Sequence, residues 1–185
     1  LRPVQMIRQY TRFAPGSVLL SMGETRVLAT ACVEERVPRH VGQDGSGWLT
    51  AEYALLPGSS ATRIPRDRFK VSGRTTEIQR LIGRCLRASL NLGALGTRTI
   101  TIDTDVLQAD GGTRTASITA GYMALVDALS SLQQQGLLTQ LPIVSPVAAV
   151  SVGIVNGVPI LDLNYAEDST ADVDANLVMN ARGEI

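Results

Sequence analysis

The sequence predicts a fold that combines β-strands and α-helices around one core. Two pairs of strand-like segments are each joined by a two-residue turn of the kind found in β-hairpins. Two other segments repeat apolar residues at helical spacing. The chain has 185 residues, of which 44% are hydrophobic, so we expect a single domain over residues 1–185 with a substantial core.

The first hairpin is predicted near the N-terminus. Residues 18–22 and 25–33 have strand character, and Gly23 and Glu24 separate them. Glycine at the first position of a two-residue turn is typical of a tight hairpin. A third strand is predicted at residues 48–56.

A basic loop follows this third strand. Residues 57–71 include two prolines and few apolar side chains, so the segment cannot bury itself and is expected to be a mobile loop. It carries four cations against one acid, Asp67; the cations are Arg63, Arg66, Arg68 and Lys70. Cations on a loop suit a phosphate backbone, whereas a merely solvated charged loop is the alternative.

A helix is predicted after Ser72. Six residues form its core stripe at helical spacing: Ile78, Leu81, Ile82, Cys85, Leu86 and Ser89. Thr76 and Gln79 make a capping-box pattern at its start. Arg74 stands at the entrance beside a glycine, where the helix dipole favours an anion. The other arginines lie off the stripe and are expected on a solvated face: Arg80, Arg84 and Arg87.

Residues 108–117 are the most informative stretch of the chain. The segment before them, 98–106, alternates and is β-branched, which predicts a strand, and a helix of apolar period 3.6 follows. Glycines between a strand end and a helix start turn free N–H groups and the positive helix end toward one point. An anion would be stabilised there, and Arg114 adds a forked charge. An ordinary Gly-Gly turn beside a solvated arginine is the alternative.

A second hairpin and an acidic cluster complete the pattern. Residues 147–155 and 158–165 flank an Asn-Gly pair, which favours a type I′ turn. Three aspartates follow: Asp168, Asp172 and Asp174. Asp172 and Asp174 share a face if the chain is extended, whereas Asp168 and Asp174 converge only if it turns between them.

Convergent carboxylates at this cluster have two chemical uses. Two carboxylates with waters and a substrate phosphate are a common way to hold Mg²⁺. A carboxyl whose pKa is raised by its neighbour can also donate a proton. An acidic surface turn is the alternative. Together, two anion-binding helix entrances, a carboxylate cluster and a basic loop are the parts of a phosphoryl-transfer site that acts on nucleic acid.

Composition sets the remaining limits. The formal net charge is zero, so a polyanion would have to meet a local basic patch. Cys32 and Cys85 lie in apolar patterns and are expected to be buried thiols in a reducing compartment. His40 is alone in a polar segment and is expected at the surface. We see no secretory leader and no membrane-spanning run, and therefore expect a cytoplasmic protein.

Several of these segments also resemble a known family. The motifs are GWLTAEY at 47–53, SGRT at 72–75 with EIQRLIGR at 77–84, QADGGTRTAS at 108–117, and YAED at 165–168 followed by Asp174. Over nearly all 185 residues the chain resembles ribonuclease PH, a phosphate-dependent 3′-exoribonuclease that trims tRNA precursors. The resemblance implies an α+β fold, an RNase PH-like sandwich of mixed β-sheets with packed helices.

The resemblance also implies a reaction and a site. Inorganic phosphate, as co-substrate, would cleave the last phosphodiester of an RNA 3′ end and release a nucleoside 5′-diphosphate, reversibly. Phosphate would sit on Arg74, Gly112, Thr113 and Arg114. Asp168 and Asp174 would bind Mg²⁺ and assist the leaving 3′ oxygen. The protein would form a homo-hexameric ring, a trimer of dimers, with Arg63 and Arg66 facing RNA or subunit contacts.

The chain departs from the family pattern at a few places. It starts at Leu1, without the family's short N-terminal segment, and stops at Ile185, before the family's last strand and C-terminal helices. Gly58 stands where an arginine is common. Two alternatives to an active enzyme remain: an inactive fragment, or a non-catalytic RNA-binding ring subunit of an exosome-like assembly. Such subunits typically lose one of four residues that are all present here: Arg74, Arg114, Asp168 and Asp174.

Overall fold

A computed structural model describes residues 1–39, 41, 45–66 and 71–185. Within these residues the chain forms two β-sheets and four helices. In chain order the elements are β1 (Val4–Arg8), β2 (Gly16–Met22), β3 (Thr25–Glu34), β4 (Trp48–Leu55), α1 (Gly73–Ala88), α2 (Leu92–Leu95), β5 (Thr99–Gln108), α3 (Thr113–Gln134), β6 (Val147–Val155), β7 (Val158–Leu161), α4 (Tyr165–Asp168) and β8 (Val173–Asn180). His40, Arg68 and Lys70 lie outside the described residues.

The larger sheet has five strands in the order β1-β2-β3-β5-β4. Its neighbours are antiparallel except β4 and β5, which run parallel, so the sheet is mixed. The predicted first hairpin is confirmed, because Met22 and Thr25 pair across Gly23 and Glu24. The edge strand β1 was not predicted, and its mostly exposed residues show why, since they lack an apolar alternation.

The smaller sheet has three antiparallel strands in the order β7-β6-β8. Asn156 and Gly157 both have positive φ, at 51° and 75°, as a type I′ turn requires. The second hairpin is therefore confirmed, but its returning strand ends at Leu161 rather than residue 165. Asp162 adopts a left-handed φ of 67°, and Tyr165 already begins α4.

Helix α3 lies between the two sheets and is buried on most of its surface. It packs against β2, β3 and β5 of the larger sheet and β6 of the smaller one, while α1 packs against β4 and α3. This arrangement confirms the predicted α+β sandwich. It also brings the N-terminal end of α3 to the junction between the sheets.

Four local predictions were wrong. Helix α1 is capped by Ser72, whose Oγ accepts a hydrogen bond of 3.1 Å from the Thr75 N–H, rather than by a Thr76/Gln79 box. Cys32 is exposed and Cys85 only half-buried. Arg87 is not simply solvated, because its guanidinium lies 4.6 Å from the centre of a Trp48 ring.

No helix among the described residues has both the length and the apolar composition needed to span a membrane.

Candidate active site

A cleft of about 570 Å³ opens at the start of α3. Six parts of the fold line it: the end of β4 with the loop that follows, the start of α1, the glycine turn before α3, strand β6, helix α4 and strand β8. Six of the eight predicted site residues line it: Arg74, Gly112, Thr113, Arg114, Asp168 and Asp174. The fold thus gathers residues that are up to 100 positions apart in the sequence into one cavity wall.

The glycine turn has a backbone that other residues adopt poorly. Gly111 and Gly112 have φ of 74° and 63°, both in the left-handed region. A β-carbon at Gly111 would lie 2.5 Å from the Leu163 carbonyl oxygen, so no side chain fits. Gly112 caps α3, and none of the described residues accepts a hydrogen bond from the N–H of Thr113 or Arg114. These N–H groups and the positive helix end are available to an anion in the cleft.

The glycine turn is held from three sides. Thr25 donates from Oγ1 to the Gly111 carbonyl at 2.7 Å and accepts from the Asp110 N–H at 3.0 Å. Arg2 donates to the Asp110 carbonyl at 2.5 Å. The Asp110 carboxylate accepts from the Tyr165 N–H at 3.2 Å, which ties the turn to α4. The backbone of the glycine turn is therefore held in place by the protein itself, as preorganised binding of an anion would require.

Two arginines flank the N-terminal end of α3. Arg114, with 25% of its side chain exposed, donates to the Glu77 carboxylate at 2.8 Å, which fixes the guanidinium at the cleft wall. The Tyr53 hydroxyl donates to Thr113 Oγ1 at 3.1 Å. Burial raises the pKa of Tyr53, while the hydrogen bond with Thr113 and the charges of Arg74 and Arg114 oppose that rise. Both cations therefore lie close enough to act on one group at the helix start.

Two carboxylates form another part of the wall. Asp168 ends α4, whose start is fixed by a capping box between Asn164 and Glu167. Asp174 lies on β8 opposite Gly153 of β6. The chain turns between the two aspartates, so both line the cleft. Asp172 does not line it; its N–H donates to the Ile154 carbonyl at 2.8 Å.

The oxygen ligands in the cleft suit a divalent cation such as Mg²⁺ that is bound partly by the protein and partly by its substrate. Among the described residues no group of three or more His, Cys, Asp or Glu side chains could hold a metal alone. Two exposed carboxylates are nevertheless present in the cleft, which also contains Arg114 and the start of α3. Mg²⁺ is usually bound in this way, by one or two carboxylates with waters and phosphate oxygens. Asp168 and Asp174 therefore fit Mg²⁺.

Known proteins share both the sequence and the fold. The 3′ exoribonuclease family matches the chain in two parts, domain 1 at residues 1–130 and domain 2 at residues 145–185. The chain belongs to the 3′ exoribonuclease family. It is 59% identical to a ribonuclease PH from Synechococcus sp. (strain JA-2-3B'a(2-13)), over 99% of this chain and 76% of that relative. It is 57% identical to one from Corynebacterium kroppenstedtii, over 100% and 73%.

Solved structures support the fold of this 3′ exoribonuclease family member. Rice (Oryza sativa) Rrp46 superposes with a TM-score of 0.79 at 22% identity, over 98% of this chain and 75% of that chain. An Archaeoglobus fulgidus exosome with RNA bound to the active site gives 0.81 at 22% identity, over 98% and 74%. The family match and the ribonuclease PH relatives confirm the resemblance predicted from the motifs.

The two loop arginines lie outside the cleft of this exoribonuclease family member. Arg63 and Arg66 are exposed, and neither lines the cavity, although Thr62 and Ile64 of the same loop do. Burial raises the pKa of Asp105, and the charge of Arg66 opposes that rise. A role of Arg63 and Arg66 in RNA binding stays a prediction.

Three further residues of the cleft region were not predicted from the sequence as site residues. Tyr53 and Glu77 lie within the segments at 47–53 and 77–84 on which the resemblance was based, which is the signal that could have identified them. Ser151 has no such signal, because it is a strand residue in an apolar segment. It lines the cleft because the smaller sheet packs against α3; within that sheet Ser151 lies opposite Asn176 of β8.

Proposed function

We propose that the chain is a phosphorolytic 3′-to-5′ exoribonuclease that trims the 3′ ends of tRNA precursors. It uses inorganic phosphate and releases nucleoside 5′-diphosphates, and it runs in reverse as a nucleotidyltransferase. One observation carries the proposal: a single cleft is lined both by two arginines with the start of α3 and by the Asp168/Asp174 pair. Support also comes from relatives called ribonuclease PH that are 57% and 59% identical to the chain.

Phosphate is the nucleophile in this mechanism, and the protein's task is to position it. Both the attacking phosphate and the RNA diester are anions, so their approach is opposed by repulsion. Arg74, Arg114 and the N–H groups at the start of α3 offset that repulsion and orient one phosphate oxygen toward the terminal diester. No nucleophilic side chain is needed.

The bonds exchanged are those of a single phosphoryl displacement. A phosphate oxygen bonds to the phosphorus of the terminal nucleotide as the bond from that phosphorus to the 3′ oxygen of the preceding nucleotide breaks. The electron pair stays on the 3′ oxygen, which takes a proton and becomes the new 3′ end. The Asp168/Asp174 wall carries the carboxyl groups able to move that proton.

Mg²⁺ is the metal that the Asp168/Asp174 pair would hold. When bound, it supplies positive charge that offsets the developing charge on the scissile phosphate. In this scheme Arg74 and Arg114 bind the attacking phosphate. The attacking phosphate and the scissile phosphate are therefore stabilised by different groups of the cleft.

The partners proposed are RNA and further copies of the same chain. We infer that RNA 3′ ends enter the cleft, that Arg63 and Arg66 contact RNA or a neighbouring subunit, and that the assembly is a homo-hexamer, a trimer of dimers. Support comes from the likeness to archaeal exosome structures, one of them with RNA at its active site. We place the enzyme in the cytoplasm; the free thiols of Cys32 and Cys85 suit a reducing compartment.

The test compares products with and without phosphate. The protein is incubated with Mg²⁺ and an RNA bearing a free 3′ hydroxyl, and nucleotides are separated by chromatography. Nucleoside diphosphates that appear only with phosphate are the expected result. RNA binding without any turnover would instead favour the second candidate, a non-catalytic ring subunit of an exosome-like assembly. The presence of all four of Arg74, Arg114, Asp168 and Asp174 in one cleft favours the enzyme.

A further inference from the structure

Ser151 is a buried hydroxyl of the cleft wall that has no protein partner among the described residues. The residue is only 5% exposed, and its Oγ forms no hydrogen bond with any group that the structure describes. It nevertheless lines the same cleft as Arg114 and Asp174. A buried hydroxyl without a partner destabilises a fold, so its presence beside a ligand site calls for an acceptor supplied by the ligand.

The position of Ser151 is rigid and adjacent to the glycine turn. Its carbonyl accepts from the Asp162 N–H at 2.6 Å, and its strand pairs with β8 on the other side. A β-carbon on Gly112 would lie 3.4 Å from Ser151 Oγ, so the missing side chain leaves the hydroxyl in direct reach of the start of α3.

Two other polar groups face the same side of Gly112, and both have protein partners. A β-carbon there would lie 3.0 Å from Arg2 Nη2 and 3.3 Å from Thr115 Oγ1. Arg2 Nη2 donates to Asp162 at 2.7 Å, and Thr115 Oγ1 donates to the Gly112 carbonyl at 2.9 Å. Of these three groups near Gly112, the Ser151 hydroxyl is the one that forms no hydrogen bond with any described residue.

We propose that the Ser151 hydroxyl binds the phosphate co-substrate, donating a hydrogen bond to an oxygen of the anion held at the start of α3. The proposal rests on the proposed function, since it takes the anion to be inorganic phosphate. A hydrogen bond from a hydroxyl to an anion is stronger than a hydrogen bond between two neutral groups. The burial of Ser151 also shields this hydrogen bond from competing water. Ser151 thus adds a contact from the smaller sheet to a site otherwise built from α1 and α3.

The test uses two serines with matched chemistry. Ser117 is also buried, its Oγ also forms no hydrogen bond with a described residue, and it lies in α3 without lining the cleft. Ser151→Ala should raise the KM for phosphate about tenfold, as expected for a lost hydrogen bond to a charged group, and change the KM for RNA less than about twofold. Ser117→Ala should change neither. Both variants should melt no lower than the wild type, because each removes an unpaired buried hydroxyl.

Ser151→Cys provides the second variant, since its thiol is a weaker donor on a slightly larger atom, and we expect an intermediate KM for phosphate. An unchanged KM for phosphate in Ser151→Ala would overturn the proposal, as would a rise in the KM for RNA alone. Failure of the proposed function is distinguishable from this, because the wild type itself would then release no nucleoside diphosphate. The affinity for phosphate, measured by calorimetry without RNA, should be highest in the wild type, lower in Ser151→Cys and lowest in Ser151→Ala.

Discussion

Arg2 and Asp162 form an ion pair that joins residues 160 positions apart in the sequence. The guanidinium donates to the carboxylate at 2.7 Å, and the Arg2 N–H donates to the same carboxylate at 2.8 Å. The Asp162 side chain is fully buried. Arg2 also donates to the Asp110 carbonyl, so the pair connects the N-terminal segment, the end of β7 and the glycine turn.

Breaking this pair should destabilise the fold strongly. Asp162→Ala leaves the largely buried Arg2 guanidinium without its carboxylate partner, and we expect the free energy of unfolding to fall by about 3–5 kcal/mol. Urea denaturation at pH 7 measures this, with Asp172→Ala as the exposed control. Burial raises the pKa of Asp162, but the hydrogen bonds and charge of Arg2 prevail and lower it overall. The stability that ionised Asp162 contributes is therefore present at neutral pH. It is lost as the pH falls through the folded-state pKa, below about 4. A loss under 1 kcal/mol would contradict the structural role.

The effect of Asp103 on stability should depend on pH in the opposite way to that of Asp162. It lies opposite Glu52 in the parallel β4–β5 pair. Burial raises the pKa of Asp103, and the charges of Glu52 and Asp105 raise it further. A raised folded-state pKa means that stability falls as pH rises from the unfolded pKa through the folded one. Asp103→Asn should therefore melt a few degrees higher than the wild type at pH 7, and this advantage should vanish near pH 3. A lower melting temperature at pH 7 would refute the assignment.

Arg114 should be needed for phosphate more than for RNA. Its guanidinium is fixed by Glu77 at the start of α3. Arg114→Ala should lower kcat/KM for phosphate about 10²–10³-fold, the range expected for losing a fixed donor to transition-state charge. RNA affinity, measured by fluorescence anisotropy, should stay largely intact. Arg80→Ala removes an exposed arginine of α1 that does not line the cleft and serves as the control. An equal loss of RNA affinity would count against the assigned role.

Asp174 should be needed for turnover but not for folding. The side chain is exposed at the cleft, so Asp174→Asn should leave the melting temperature nearly unchanged while abolishing activity with Mg²⁺. The neighbouring Asp172→Asn, outside the cleft, should remain active. If Asp172→Asn were the inactive variant, the metal role would move to that residue.

Much of the fold followed from local rules in the sequence. The hairpins around Gly23 and around Asn156 and Gly157 were predicted because their backbone needs those residue types. The glycine turn before α3 was predicted for the same reason. Cys32 was misplaced although strand parity could have located it: Val27, Ala29 and Ala31 face the core, so residue 32 faces outward.

The rest of the site depends on contacts that no local pattern encodes. The Arg2–Asp162 pair joins distant segments, and Ser151 reaches the cleft only through the packing of the smaller sheet against α3. Helix α1 begins earlier than its capping-box pattern indicated, because Ser72 already satisfies the Thr75 N–H. Convergence of Asp168 and Asp174 required a turn whose existence the sequence left open.

The most direct test of the central claim is the fate of the phosphate itself. Radiolabelled inorganic phosphate is supplied with Mg²⁺ and unlabelled RNA bearing a 3′ hydroxyl, and the released nucleotides are resolved. If phosphate bound at the start of α3 is the nucleophile, label enters the β-phosphate of the nucleoside diphosphates, and Arg114→Ala suppresses it. Unlabelled nucleoside monophosphates, formed at the same rate without phosphate, would contradict the mechanism.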